Sequence, residues 1–412
     1  MRDKSNRPRL GEVVLVNIER ILPGGIGLAH AEGLTLFVAL SAPGDSVRVR
    51  IDQIRGLVAF ASILEIIAPS PVRVVPSCVY FGRCGGCDFQ QLSYEAQLAA
   101  KVEIIRDSFR RIAHLDLPDP IPITPSPNAW QYRSSAQWKY HSLKSHIGYF
   151  ERGSHTICDV VECPILVPAL QETLFTLREH LHEGTLPPGA NELNAVAGDN
   201  GVSISPPIGK VAANEVSRHI GQDRYIYNAD TFFQINDQLM PALVDAALSE
   251  AQGETALDLY CGAGLFTLPL SRRFARVRGV EANSGAVDYA RRNLAEAGLN
   301  NAKIECASVG EWLRDQASLL GPVDFILLDP PRSGAEKGVI DALLAVRPRR
   351  ITYVSCDPAT LARDLRGLID GGYMLDSVAA FDMFPQTHHV ETVAYLGERT
   401  RLPNDQTALF TP

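Results

Sequence analysis

No apolar run in this 412-residue chain approaches the roughly 18 residues that a membrane-spanning helix needs, which excludes that class of protein. The basic opening residues, MRDKSNRPRL, lead into no signal-peptide core, so the chain is expected in the cytoplasm. Without a secretory signature, the eight cysteines are poor candidates for disulfides, and metal or catalytic roles come forward instead. Positive charge is also short. Lys and Arg number 39 against 47 Asp and Glu, a net charge of −8, and that balance argues against a phosphate backbone as partner. A hydrophobic content of 46% and a charged content of 21% are ordinary for a globular protein. The length suffices for two or three domains.

One stretch runs against the global charge. Between Trp130 and His155, Arg133, Lys139, Lys144 and Arg152, with His141, His146 and His155, face only Glu151. Trp130, Tyr132, Trp138, Tyr140, Tyr149 and Phe150 interleave with them. Aromatic plus basic is a composition that stacks bases and holds a nucleic-acid backbone. A solvated β-hairpin with its aromatics packed inward accounts for the same pattern, and both readings stand at this point.

Residues 8–69 alternate as short strands: Gly11–Ile18, Leu34–Val38, Val47–Ile51 and Leu57–Ile66, with turns at Gly24-Gly25, Gly27, Gly33 and Pro43-Gly44-Asp45. About five strands in some sixty residues suggest a small barrel of the oligonucleotide-binding kind. Pro69, Pro71 and Pro76 read as a linker. Ser93 reads as the N-cap of a helix in which Leu98, Val102, Ile105, Phe109 and Ile112 form the apolar stripe. Residues 117–127 read as a proline-punctuated connector. The next hundred residues lean towards β-structure without repeats or low complexity, with loops expected at 184–189 and 198–207. The residues after Gly397 read as a frayed polar tail.

Three apolar runs carry the chemistry. Ala256–Tyr260 runs into Cys261-Gly-Ala-Gly264, Val323–Leu328 into Asp329-Pro-Pro-Arg332, and Ile351–Val354 into Ser355-Cys356-Asp357-Pro358. Short apolar runs separated by helical stretches read as parallel strands buried on both faces, whose ligand sites lie at the carboxyl ends. The glycine loop Asp258–Thr267 allows close approach of a nucleotide, although Thr267 stands where a third dinucleotide-fingerprint glycine would be. The strand Val277–Val280 ends in Glu281, placed for ribose hydroxyls, and a helix capped by Asn283 or Ser284 and stopped at Gly298 follows. This is an adenosine-type site that suits S-adenosylmethionine or NAD. A rigid Asp-Pro-Pro loop at Asp329 serves to hold a methyl donor beside an acceptor, which favours S-adenosylmethionine. Cys356, at a helix N-terminus that stabilises a thiolate, is the candidate nucleophile. His388-His389-Val-Glu391 offers a carboxylate just before another strand.

Cys78-x5-Cys84-x2-Cys87 needs a fourth ligand, with Cys163 the first choice and Cys158 the reserve. Four thiolates in a cytoplasmic protein mean zinc or an iron–sulfur cluster. A three-plus-one arrangement is more typical of a 4Fe-4S cluster.

With these residues in place, nearly the whole chain resembles the RNA uracil-5-methyltransferase family, in particular the branch acting on 23S ribosomal RNA. The resemblance implies an α/β fold: a Rossmann-like S-adenosylmethionine-dependent methyltransferase domain over 229–412. It also implies an OB-like RNA-binding barrel (TRAM) over 1–69 and a central β-rich region over 70–228 carrying a 4Fe-4S cluster on Cys78, Cys84, Cys87 and Cys163. Phe232-Phe-Gln234-Ile-Asn236, Tyr260, Glu281 and Asp329 match residues that hold S-adenosylmethionine, with Tyr260 standing where Phe is also common. Cys356 matches the nucleophile, and His389-Val-Glu391 matches the general-base motif with Glu391 as the base. The implied activity is methyl transfer to carbon 5 of a uridine in 23S rRNA by a monomer. The alternatives are a tRNA uracil-5-methyltransferase, or an RNA-binding protein without catalysis. A radical S-adenosylmethionine enzyme does not fit, because its cysteines run CxxxCxxC.

Overall fold

Alternation of apolar side chains over the first strands builds a six-stranded sheet. Its order is Val13–Asn17, Ser46–Arg55, Val58–Ala68, Leu34–Ala39, Ile26–Ala31, Arg20–Leu22. Val47, Val49, Ile51, Leu34, Leu36 and Val38 fill its buried face, as a period of two demands. The strands Arg20–Leu22 and Ile26–Ala31 lie where the sequence pointed only to glycine turns. The computed structural model describes residues 8–186, 191–208 and 213–398, in two compact units. One holds residues up to 107, 123–243 and 380–391, and the other 108–122, 244–379 and the residues from 392. The polar tail beyond Glu398 lies outside the described residues, as do residues 187–189 of the loop expected over 184–189.

In the first unit, the proline-rich segment after the sheet is fastened rather than free. Buried Asp45 accepts hydrogen bonds from Ala42 N at 2.6 Å and Ser70 N at 2.9 Å, and from Arg73 through both Nε and Nη2. Ser93 caps α1 (Tyr94–Ser108), its Oγ accepting from Ala96 N at 3.3 Å. The buried face of α1 differs from the apolar stripe. Gln97 and Lys101 are buried with Ile104 and Ile105, whereas Leu98 and Val102 are half-buried and Ile112 is exposed. Polar partners take up that face, as described below.

The central sheet of this unit runs Ile157–Asp159, His146–Phe150, Ser135–His141, Glu192–Gly198, Gly201–Ser205. Helix α2 (Pro168–His182) packs Leu170, Leu174, Leu177 and Leu181 into one core with Trp138, Tyr140 and Ile147. Of the two readings of the aromatic stretch, inward packing holds for Tyr132, Trp138 and Tyr140, which are fully buried and offer no face to a base. The loop expected over 198–207 is instead the turn and second strand of a hairpin, Glu192–Gly198 with Gly201–Ser205.

The second unit carries most of an eight-stranded sheet: β1 (Thr255–Leu259), β2 (Arg276–Glu281), β3 (Ala302–Cys306), β4 (Phe325–Leu328), β5 (Arg350–Ser355), β6 (Tyr373–Phe381) and β7 (Glu391–Glu398), the eighth strand being Ile123–Thr124, paired with the end of β6. Their order is β3-β2-β1-β4-β5-β7-β6. The first five are parallel, and β7 runs antiparallel to β5. Phe325, Ile326, Leu327 and Leu328 are all buried, as a strand covered on both faces requires. Strand order reverses between β1 and β4, and ligands bind beyond the carboxyl ends at such a switch point.

Candidate active site and cysteine cavity

The turn after β1 is built to approach a ligand closely. Tyr260 adopts a left-handed backbone (φ 66°), as do Gly262 (53°) and Gly264 (91°), the region glycine tolerates and other residues rarely enter. A side chain at Gly264 would meet Leu268 at 3.1 Å. Tyr260 N and Cys261 N both donate to Val280 O, at 2.9 and 3.1 Å. Glu281, closing β2, accepts from Gly262 N at 3.1 Å and from Asn283 N at 2.7 Å. Asn283 in turn caps α3 (Ser284–Glu296), accepting from Ala286 N. One carboxylate therefore ties the glycine loop to the start of the next helix. Asp329 leaves β4 with its N donating to Leu259 O at 3.2 Å, beside the end of β1. Tyr260, Glu281 and Asp329 thus stand at the carboxyl ends of three adjacent strands.

Under the glycine loop, Asp258 is completely buried. Thr267 Oγ1 donates to its Oδ2 at 2.5 Å, and Oδ1 has no partner among the described residues. Burial pushes its carboxyl up to about 7, Thr267 opposing and the Glu281 charge assisting. Burial likewise raises the Tyr260 hydroxyl to about 12, which keeps it a neutral donor or acceptor. That hydroxyl accepts from Glu336 N at 3.1 Å, and the Glu336 carboxylate accepts from Ser308 Oγ at 2.6 Å. Ser308 also caps α4 (Val309–Gln316). Ala335 N donates to the Asp364 carboxylate at 2.8 Å, which also accepts from Tyr353 Oη at 2.6 Å. These bonds anchor the segment after Asp-Pro-Pro-Arg. Sequence reasoning missed Glu336 and Asp364; a lone acid carries no local signal of its partner.

Cys356 follows β5 and is half-buried. Asp357 caps α5 (Pro358–Asp370), accepting from Ala359 N and Thr360 N, so the cysteine immediately precedes a helix N-terminus. Ser355, just before it, is registered against Thr392 in the antiparallel β5–β7 pair. Glu391, buried, is the residue before Thr392. By chain connectivity, the nucleophile and base candidates each adjoin the same end of one register pair.

Gln234 belongs to the first unit, in the chain leading from the hairpin Val216–Ile220 and Asp223–Tyr227. It is buried, with Oε1 lacking a partner among the described residues. Asn236 donates to Ser126 Oγ at 2.9 Å, and Phe233 stacks on Tyr227 with centroids 4.1 Å apart. Phe232 is exposed.

Cys78, Cys84, Cys87 and Cys163 line a single cavity, which Cys158 does not border. Arg133, read above as part of a basic patch, also lines it, with its guanidinium 5.7 Å from the Tyr149 ring centroid. Burial pushes the Cys84 thiol up to about 12 and raises Cys87 and Cys163 as well, so only a cation would hold these sulfurs as thiolates. Among the described residues, no set of three or more His, Cys, Asp or Glu side chains is arranged to hold a metal ion. The donors are gathered, but a coordination geometry is not formed.

The segment from Asp382 to Glu391 is held by residues far earlier in the chain. Lys101 Nζ pairs with Asp382, both fully buried, and donates to Phe384 O at 3.0 Å. Gln97 and Gln386 exchange two hydrogen bonds, at 3.0 and 2.9 Å. Gln386 takes a left-handed backbone (φ 68°).

Residues 214–399 match a family described as tRNA (uracil-5-)-methyltransferase. An uncharacterized RNA methyltransferase from Thermosynechococcus vestitus is 34% identical, over 94% of this chain and 98% of its own. A 23S rRNA (uracil(1939)-C(5))-methyltransferase RlmD from Alkalilimnicola ehrlichii is also 34% identical, over 90% of this chain and 93% of its own. The crystal structure of the Pyrococcus abyssi tRNA (uracil-54, C5)-methyltransferase in complex with S-adenosyl-L-homocysteine superposes with a TM-score of 0.72. It is 25% identical and covers 92% of this chain and 100% of that one. Together with the methyltransferase sheet and its glycine loop, these similarities show that the chain belongs to the S-adenosylmethionine-dependent RNA (uracil-5-)-methyltransferase family.

Proposed function

We propose that this enzyme methylates carbon 5 of a uridine in 23S rRNA through a covalent adduct between Cys356 and carbon 6 of the base. The observation that supports the mechanism is the antiparallel β5–β7 register, in which Cys356 and Glu391 are the residues next to the Ser355–Thr392 pair at its same end. Tyr260, Glu281 and Asp329 are the residues we assign to S-adenosylmethionine from the strand ends, and Gln234 from its matching motif. The ribosomal substrate rests on relatives such as the Alkalilimnicola enzyme. The Pyrococcus enzyme, similar over 92% of this chain, acts on tRNA, and makes tRNA the second reading.

Carbon 5 of uracil is too weak a nucleophile to be methylated directly. The Cys356 thiolate adds to carbon 6, forming an S–C bond, and the displaced π-electron pair moves through carbon 5 onto the carbonyl as an enolate. S-adenosylmethionine, when bound, supplies the methyl group to that activated carbon. The Glu391 carboxylate then takes the proton from carbon 5. The freed electron pair re-forms the carbon 5–carbon 6 double bond and expels the Cys356 thiolate. A uridine reached in this way must leave its stack.

We assign Cys78, Cys84, Cys87 and Cys163 to a 4Fe-4S cluster on the strength of their shared cavity. Its role in this reading is structural, since methyl transfer requires no electron. The barrel-like sheet within 1–69 and the region 70–228 are assigned to RNA binding as a TRAM and central domain, ahead of the catalytic stretch 229–412.

RNA carrying 5-fluorouridine tests the mechanism. Fluorine at carbon 5 cannot leave as a proton, so the enzyme with S-adenosylmethionine should stall as a protein–RNA adduct that Cys356→Ala abolishes. Methyl transfer with no adduct would overturn the cysteine mechanism. Offering rRNA and tRNA transcripts in parallel decides between the two substrates.

A further inference from the structure

The cysteine-rich loop reaches the base-bearing segment through one residue. Asp88 directly follows Cys87, and its carboxylate grips His388 at two points: Oδ1 accepts from His388 N at 2.8 Å, and Oδ2 lies 2.5 Å from the ring Nδ1. The backbone of the same loop adds to the grip, since Asp88 N and Phe89 N both donate to Gln386 O, at 3.1 and 3.0 Å. Tyr132 Oη donates to Pro385 O at 2.9 Å from the other direction. His388 stands three residues before Glu391, and its ring lies 4.1 Å from that of His389. Asp88 and His388 are both largely shielded from solvent, with side chains 13% and 24% exposed, so water competes for this hydrogen-bonded contact less than it would at the surface.

We propose that Asp88 is a positioning residue for Glu391. By fixing the chain at His388, it sets where the strand bearing the base begins, and the cysteine loop thereby governs the proton-removal step rather than adduct formation. This rests on the reading above in which Glu391 takes the carbon 5 proton. Proton transfer demands a carboxylate held to within a few tenths of an ångström of its target. Addition of Cys356 makes no such demand on Glu391. A misplaced base therefore delays release while leaving the earlier bond-forming step intact.

The test is a single-turnover experiment with unmodified RNA substrate and S-adenosylmethionine, resolving formation of the protein–RNA adduct from release of methylated RNA. Asp88→Ala should slow release about tenfold or more, the scale of a lost charge-assisted hydrogen bond, with adduct formation within about threefold of the parent enzyme. Asp88→Asn, which retains an acceptor for His388 N, should recover part of the release rate. If Asp88→Ala does not fold, His388→Ala decides, because it removes only the ring contact and should shift the same step by less. Equal slowing of both steps, or no change in release, overturns the proposal. Absence of any adduct from the parent enzyme, even on 5-fluorouridine RNA, overturns the Cys356–Glu391 reading beneath it, and the two failures are told apart by that control.

Discussion

Lys101→Met removes the only charge on the buried face of α1 and leaves Asp382 in place. Both groups of the pair are fully buried, and burial pulls the Lys101 ammonium below its ordinary value even though Asp382 opposes that pull. Taking away one partner strands a carboxylate in a low-dielectric site, which costs about 3–5 kcal/mol. Replacing both, as Lys101→Met with Asp382→Leu, removes the stranded charge and should return stability to within about 2 kcal/mol of the parent. Native-state hydrogen exchange at the α1 amides is the assay, because it reads the opening of that helix even where two units do not unfold together. Protection should fall by about two to three orders of magnitude in the single variant and recover by at least tenfold in the double. A loss below about tenfold in Lys101→Met, or a double variant no better than the single, would refute the reasoning.

Asp258 is held near 7 against an ordinary 3.8, so the folded protein keeps a proton that the unfolded chain releases. Its contribution to stability is complete below 3.8 and is lost as pH rises towards 7, a swing on the order of 4 kcal/mol. Asp258→Asn should flatten the dependence of melting temperature on pH across that window; an unchanged slope would mean that the carboxyl is already ionised when folded. Glu391→Gln should form the RNA adduct at close to the parent rate and accumulate it, and normal turnover would remove Glu391 from the role of base. Cys163→Ser should abolish iron and sulfide incorporation in anaerobically prepared protein while Cys158→Ser preserves it, and the reverse result would exchange their roles.

Where a motif closes a buried strand, its place in the fold could be read directly. The glycine loop, Asp-Pro-Pro-Arg and Ser-Cys-Asp-Pro each join the end of a buried strand to a turn of special geometry, and that conjunction is local. Glu281 at the end of β2 and Asn283 as the cap of α3 could be placed because strand, acid and cap are contiguous. The buried face of α1 could not. Of the apolar stripe Leu98, Val102, Ile105, Phe109 and Ile112, Ile105 and Phe109 are buried, yet Gln97 and Lys101 are buried in place of Leu98 and Val102, because their partners lie 289 and 281 positions away. The basic, aromatic stretch left two readings open for a related reason. Composition does not reveal facing, and Arg133 turns towards the cysteines while Trp138 enters the core. Glu336 was invisible because its significance is conferred by Tyr260 and Ser308, contributed by two other strand-to-helix turns.

The same long-range bonds predict what happens when the motif-bearing stretch is separated from the rest. Residues 229–412 contain Cys356, Glu391 and the entire glycine loop. Expressed alone, however, they lose Lys101 from Asp382, Gln97 from Gln386 and Asp88 from His388. They also lose Ile123 and Thr124, which pair with Ala380 and Phe381 at the end of β6. With α1 gone, Asp382 is open to water, so the loss is that of the bonds themselves, about 1.5–3 kcal/mol for the charged one and about 1 kcal/mol for each other, a sum that exceeds what a short connecting segment can recover locally. In the fragment, amides from Asp382 to Val390 should therefore exchange at nearly unprotected rates while those of β1, β2 and β4 remain protected. Protection of that segment equal to the full chain would show that the base-bearing strand carries its own geometry. Position would then be encoded near Glu391 after all, and neither α1 nor the cysteine loop would be needed to set it.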